Sequence, residues 1–332
     1  MGDVAMMVPV VKSLAQQYPH LQITVLSKPF YRFFFDGLAS NVHFMEADVK
    51  NEYKGIHGLN NLYRRLIAKH FTAVADFHDV LRTKYLRLRF NMGMFKTSHI
   101  NKHNCDRKKL TCVNRKVLRQ IPTSFENYAD VLRDLGYPVK VEFTSIYGEG
   151  KGDFSIIADI IGDKKSEEKW IGIAPFAAHK GKIYPQENLK KVISLLLEKE
   201  PNCRLFFFGA GEKEHAKINE LIADREKCVN ASAILNNLGE ELILMSHLDV
   251  MLSMDSSNMH LASLVGARVV SIWGATHRYA GFLGWNQSVN DVIELEIPCR
   301  PCCIFGDKKC KFGDYRCMNI SHEKIVDTIL KS

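Results

Sequence analysis

Apolar residues along the chain fall into two series of short β-branched runs separated by stretches of helical period. Residues Val4–Gln17 carry their apolar positions on one face and end at Tyr18-Pro19, which predicts a helix. Ile23–Leu26 is a compact run of strand-forming residues and reads as a buried strand. Phe71–Phe77 reads as another strand, followed by a helix through Leu81–Phe90. Glu126–Leu135 is helical and closes at Gly136-Tyr137-Pro138, where glycine caps and proline prevents resumption. Residues 145–168 hold four glycines and a charged tail, and read as a linker.

A second series follows. Trp170–Ala174, Cys203–Phe208, Val250–Met254 and Arg268–Trp273 read as strands. Between them Pro185–Glu198, Glu212–Asp224 and Asn258–Val265 read as helices, the last closed by Gly266. Strands alternating with crossover helices imply parallel sheets. The expected class is α/β: two Rossmann-like domains, residues 1–150 and 151–332, whose parallel sheets face a central cleft. In such folds ligands bind at the carboxyl ends of the strands. One feature is out of order. The chain opens directly on Gly2-Asp3 and a helix, with no strand before it. The reading therefore expects a first strand, about ten residues long with its loop, to be missing from this chain.

Composition narrows the class without naming a function. The 332 residues are 46% hydrophobic and 25% charged, which excludes wholesale disorder and fibrous repeats. Mainly apolar runs such as Val192–Leu197 and Leu205–Phe208 are far shorter than the ~20 residues of a spanning helix. The opening MGDVAMMVPVVKSLAQQ lacks the basic start and small-residue cleavage site of a signal peptide, so a cytoplasmic protein is expected. Net charge is +8, but unevenly spread. Arg82–Arg119 holds twelve Lys/Arg against Asp106 alone. Such a segment is either a solvated basic face or a landing site for an anionic partner. Five of nine cysteines crowd the C-terminus: Cys299, Cys302, Cys303, Cys310 and Cys317. Their second half is not a C-x2-C pair, which favours packed thiols over a zinc site.

Three stretches offer chemistry. Gly2-Asp3 opens the first helix, where free amides favour an anion; a plain capping aspartate is the simpler reading. Ala174–Lys182 links a strand to a helix and carries His179, Lys180 and Lys182, able to hold a diphosphate or to be an ordinary basic loop. Asp255-Ser256-Ser257-Asn258-Met259-His260 opens the helix closed by Gly266, with four cap-type residues in a row. His260 is either a buried structural histidine or one aimed at a phosphate. No D-x-D pair occurs, which weakens any mechanism with a metal held on a nucleotide diphosphate.

GDVxxxxP near the start, PFAAHKGKIYP in the middle and DSSNMHLASLVGARVVSIWGAT further on together resemble the signature stretches of the heptosyltransferases, glycosyltransferase family 9. The resemblance spans essentially the whole chain and extends to Cys299-Arg300-Pro301-Cys302 and Cys310 to Cys317. It implies a GT-B fold and an inverting, metal-independent transfer of a sugar, heptose from ADP-heptose, onto lipopolysaccharide core or a related glycan. It implies Asp3 as the catalytic base and Lys182 as the charge on the departing diphosphate. Asp255, Ser256, Met259 and His260 would hold the nucleotide, and Glu212 the ribose, with Glu214 as the competing alignment. Where some members have hydroxyl residues this chain has Ala177 and Ala178, leaving His179 and Lys180 as candidates for donor phosphate. His78, Asp79 and Arg82 are candidates for the acceptor side. An anionic lipid-linked or phosphorylated saccharide would suit the basic segment, with peripheral contact to the inner face of the cytoplasmic membrane. No resident cofactor and no nucleic-acid partner are expected. The competing function is a nucleotide-sugar or nucleic-acid binding protein that kept the fold without catalysis.

Overall fold

The computed structural model describes residues 1–331. The chain forms two compact units. The first comprises Met1, Asp3–His103 and Pro122–Phe143; the second comprises Asn104–Ile121 and the described residues from Thr144 onward, with Gly2 grouped with it. These bounds differ from a single division at residue 150. The strongly basic segment is itself split, because Asn104–Ile121 packs with the second unit. Pattern and charge run unbroken through His103, so nothing local marks that crossing.

In the first unit, α1 (Gly2–Gln17) is followed by β1 (Ile23–Ser27) and β2 (Val42–Glu46), paired in parallel. Next come α2 (Gly55–Ile67), β3 (Ala73–Asp76), α3 (Leu81–Met92) and β4 (Lys96–His99), with β3 and β4 also parallel. The short α4 (Asn104–Leu110) lies in the segment belonging to the second unit, and α5 (Ser124–Asp134) returns to the first. Thr123 starts α5 with a capping box: its hydroxyl accepts from the Glu126 amide, and the Glu126 carboxylate accepts from the Thr123 amide. A core of Met45, Tyr53, Leu62, Tyr63, Leu66, Leu86 and Phe90 joins β2, α2 and α3.

After α4 the second unit continues with α6 (Ala158–Ile161) and then alternates: β5 (Lys169–Ala174), α7 (Gln186–Lys199), β6 (Cys203–Phe207), α8 (Gly211–Ile222) and β7 (Cys228–Asn230). The short α9 (Ala231–Ile234), α10 (Leu238–His247), β8 (Val250–Met254), α11 (Ser257–Leu264), β9 (Val269–Trp273), β10 (Val292–Glu294) and α12 (His322–Leu330) complete it. All six strands join one parallel sheet in the order β10-β9-β8-β5-β6-β7. The first strand of the series is thus central, with its successors β6 and β7 on one side and β8, β9 and β10 on the other. Strand order reverses between β5 and β8, which makes the loops after those strands the natural ligand position. β8 and β9 are buried along their whole length, as parallel strands covered by helices must be. Gly172 in β5 is required by close packing, since a Cβ there would lie 2.4 Å from Met251 Sδ and 2.5 Å from Leu248 Cδ1.

Candidate functional site

The loop after β5 turns through a short 3-10 segment, Lys180–Lys182, and the loop after β8 is only Asp255-Ser256 before α11 begins. Their side chains meet. Lys182 Nζ donates to Asp255 Oδ2 at 2.9 Å, and Thr276 Oγ1, beyond the end of β9, donates to the same oxygen at 2.7 Å. Asp255 is 3% exposed, and the Lys182 side chain 14%, so the pair is held largely out of water yet keeps an open edge. An ammonium has three protons. One committed to Asp255 leaves others to meet an anion, with the stem held in place.

The Cys-rich C-terminal segment packs onto this loop. Gly306, at φ +83°, lies so close to the Lys182 stem that a Cβ there would be 2.8 Å from its Cγ. The Ala275 amide donates to the Gly181 carbonyl at 2.8 Å, and the Cys302 amide donates to Ala275 at 3.0 Å. Lys180 Nζ lies 5.3 Å from the Tyr315 ring centre, a cation–π contact, while the His179 carbonyl accepts the Lys182 amide. Cys302 and Cys303 have their sulfurs 4.0 Å apart; hydrogen bonding between them lowers the pKa of Cys303 and raises that of Cys302. All nine cysteines are free thiols. Among the described residues no three His, Cys, Asp or Glu side chains are grouped as metal ligands.

Ser256 occupies the cap position of α11 in an extended conformation, and its side chain accepts none of the helix amides; its Oγ is 3.4 Å from Ser253 Oγ. The first turn of α11 therefore presents amides and a positive dipole end beside Lys182. Met259 and His260 are buried one turn further along, at 0% and 7% exposure. Next to the switch point, the turn after β6 is held by side chains: Gly209 N donates to Ser232 Oγ at 3.1 Å and Ala210 N to Glu214 Oε2 at 2.7 Å. Glu214 is thus bound to its own loop, whereas Glu212 is exposed at the start of α8. This favours Glu212 as the carboxylate offered to a ligand.

In the first unit, Asp3 is exposed in the first turn of α1, and its carbonyl accepts from the Tyr128 hydroxyl at 3.3 Å. Asp76, at the end of β3, accepts the amides of His78 and Asp79 through Oδ1 and binds Arg87 through Oδ2 at 2.7 Å. That turn fixes His78 and Asp79, the latter at φ +45°. Burial lowers the pKa of His78, and the Asp3 charge opposes the shift. Asp79 is raised by burial, but Arg87 and Lys84 outweigh this and leave it below the usual carboxylate range. The charges of Asp3 and Arg82 both act on His78, in opposite directions. Asp79 is engaged by Arg87, Lys84 and, at its carbonyl, Lys102.

The model of glycosyltransferase family 9 (heptosyltransferase) matches residues 60–315, well over half the chain. The chain belongs to glycosyltransferase family 9. The lipooligosaccharide heptosyltransferase 2 of Campylobacter jejuni serotype O:6 is 24% identical over 131 residues, 38% of this chain and 40% of that protein. The match thus spans under half the length of that curated relative. Among solved structures, the family 9 glycosyl transferase from Veillonella parvula superposes with a TM-score of 0.71 at 18% identity, covering 100% of this chain and 95% of the other. The E. coli ADP-heptose lps heptosyltransferase II gives 0.64 at 16% identity, covering 98% and 93%. E. coli heptosyltransferase WaaC with ADP gives 0.61 at 16% identity, covering 88% and 89%. These likenesses show the GT-B fold.

For this family 9 chain the structure brings Lys182, Asp255 and Ser256 to one switch point and keeps Glu212 at the neighbouring strand end. Asp3 lies in the other unit with His78 and Arg82. Sequence reasoning missed Thr276, whose position just past a strand end in Trp273–Thr276 was a usable signal. It also missed Gly306 and Ser232, which no local pattern distinguishes.

Proposed function

We propose that this protein transfers a sugar from a nucleotide-diphosphate donor, ADP-heptose, to an anionic saccharide of lipopolysaccharide core, with inversion and without a metal ion. The first unit would bind the acceptor and the second the donor. Supporting this most directly is the switch-point arrangement: Lys182 held by Asp255, itself fixed by Thr276, beside the uncapped first turn of α11. Fixed donors aimed at a departing diphosphate do the work of a metal, because they need no reorganisation as negative charge develops. Asp3 takes the proton of the acceptor hydroxyl while that oxygen attacks the anomeric carbon from the face opposite the diphosphate. Glu212 binds the ribose, and Ser256, Met259 and His260 shape the nucleotide site. His179 and Lys180 add phosphate charge where Ala177 and Ala178 supply no hydroxyl. His78, Asp79 and Arg82 line the acceptor side. The lipid-linked acceptor would be met at the inner face of the cytoplasmic membrane.

The test is binding and turnover of a Lys182→Ala variant. Losing a charge-assisted contact costs about 2 kcal/mol, so ADP should bind about thirtyfold more weakly while adenosine binding stays within a factor of two or so. Wild-type turnover should survive EDTA. An equal loss for nucleoside and diphosphate, or activity that EDTA abolishes and magnesium restores, would refute the leaving-group assignment.

A further inference from the structure

Helix α3 carries an apolar stripe on its outer face. Leu86 and Phe90 are its buried side, packed in the first unit's core. At 3.6 residues per turn, Leu81, Tyr85, Leu88 and Met92 follow one line on the opposite side. Three of them are open to solvent: Leu81 is 87% exposed, Leu88 56% and Met92 73%. The chain then turns at Gly93 and presents Met94, 93% exposed, at a φ of 61°. A helix with apolar residues facing both its core and the outside has no use for the outer set in a monomer in water.

The charge around this stripe has one sign. Arg82 and Arg89 flank it on one side and Lys84 on the other by the same helical spacing. From Tyr53 to Cys105 the chain holds ten Lys/Arg and only two acids, Asp76 and Asp79. Asp76 is buried, and the side chain of Asp79 is 14% exposed; both are bound to Arg87. Neighbouring α2, which packs against α3, adds Arg64 and Arg65 and no acid. The outer surface of these two helices is therefore basic, acid-free and studded with exposed apolar side chains.

We propose that α3 is a membrane-docking face, lying parallel to a bilayer rich in anionic lipid. Leu81, Leu88, Met92 and Met94 enter the headgroup–acyl boundary, and the exposed Arg82 beside the stripe, with Arg64 of α2, meets lipid phosphates. Basic residues beside such an apolar stripe are the composition of a helix that lies in the interface plane. At ~1.5 Å per residue the twelve-residue helix is about 18 Å long, too short to span and suited to lying flat. Among the described residues no helix is long and apolar enough to cross a membrane. The inference shares with the proposed function only the lipid-linked acceptor, and it stands or falls on lipid alone.

The experiment is cosedimentation of the full chain with vesicles of phosphatidylcholine containing about 30% phosphatidylglycerol, against phosphatidylcholine alone. No saccharide is present, so the outcome is independent of whether sugar is transferred. Wild type should bind the anionic vesicles, at least about tenfold more strongly than the neutral ones, and the binding should weaken with salt. Leu88→Ser/Met92→Ser/Met94→Ser should lose about tenfold or more in partitioning. Its thermal unfolding should match wild type, because the three side chains are exposed. Equal binding by the variant, or no binding by the wild type, would overturn the proposal. A concentration-dependent dimer that the variant abolishes while vesicle binding persists would do so too, by assigning the face to a second copy of the chain.

Discussion

A single carboxylate organises the switch point of the second unit's sheet. Asp255 accepts from both Lys182 and Thr276 in a place with little water, so it sets where the ammonium stands as well as balancing its charge. Removing one partner of a buried pair strands the other, at a cost of about 3 kcal/mol, whereas removing both costs less. Asp255→Ala should therefore lower stability by about that amount, and Lys182→Met in the same chain should recover part of it. Chemical denaturation of the four cycle members checks this; strict additivity would mean the two side chains do not depend on each other. The matching expectation in the first unit concerns Asp3, an exposed carboxylate at a helix start. Asp3→Asn keeps the shape and removes the base, so kcat should fall by about a hundredfold or more. Affinity for ADP should be unchanged, since the proposed donor site lies in the second unit. A variant with near-normal kcat would reduce Asp3 to a cap.

At the level of elements, the turn after β6 is held by a chain of groups reaching back into α10. Burial pushes the Glu241 carboxyl up to about 7, and the Ser232 hydroxyl beside it offsets this only partly. Ser232 in turn accepts the Gly209 amide. A folded-state value above the ordinary 4.5 means the native protein binds the Glu241 proton more tightly than the unfolded chain does. The contribution to stability is then full below about 4.5 and is lost as pH rises through 7. Glu241→Gln stays neutral at every pH. Its melting temperature should match wild type near pH 4.5 and exceed it at pH 8, where the stabilisation should reach about 2–3 kcal/mol. A difference independent of pH would mean Glu241 ionises alike in the folded and the unfolded chain. Elements of this kind were only partly legible in the sequence. Val250–Met254 is apolar throughout and bounded by polar residues, so it reads as the strand it is, and the helix that follows shows its cap and its closing Gly266. Leu238–His247 does not, because Asn236, Asn237 and Gly239 resemble a turn; Asn237 is in fact the cap, accepting from the Glu240 amide. Lys96–His99 is a strand fixed by its parallel partner, with no apolar residue of its own, and Val42–Glu46 is a short run interrupted by His43. Lys182 and Asp255 were found because each follows a readable strand. Gly306 matters only through contacts that the fold creates.

Across the whole molecule, the basic segment Arg82–Arg119 divides between the two units, and that changes what its charges can do. Arg82 to Lys102 belong to the first unit, where Lys84 and Arg87 are tied to Asp76 and Asp79. Arg107 to Arg119 belong to the second, and there Arg107 stacks between ring contacts, 5.3 Å from Phe282 and 5.7 Å from Phe305. Arg107 is thus part of the packing, while Lys108 and Lys109 are exposed. The two kinds of cation should separate in experiment. Reversing Lys108 and Lys109 to Glu removes four units of charge from a solvated surface, so the fold should be nearly unaffected. If this surface steers an anionic acceptor, KM for that acceptor should rise severalfold and lose part of its salt dependence, while KM for the donor stays put. Arg107→Ala should behave in the opposite way, lowering the melting temperature through lost stacking of about 1 kcal/mol and leaving the salt dependence of the acceptor KM unchanged. Steady-state kinetics at two ionic strengths, paired with thermal unfolding, distinguish the two. Should the double reversal alter both substrates equally, the exposed lysines are a solvated face and the steering charge lies elsewhere on the molecule.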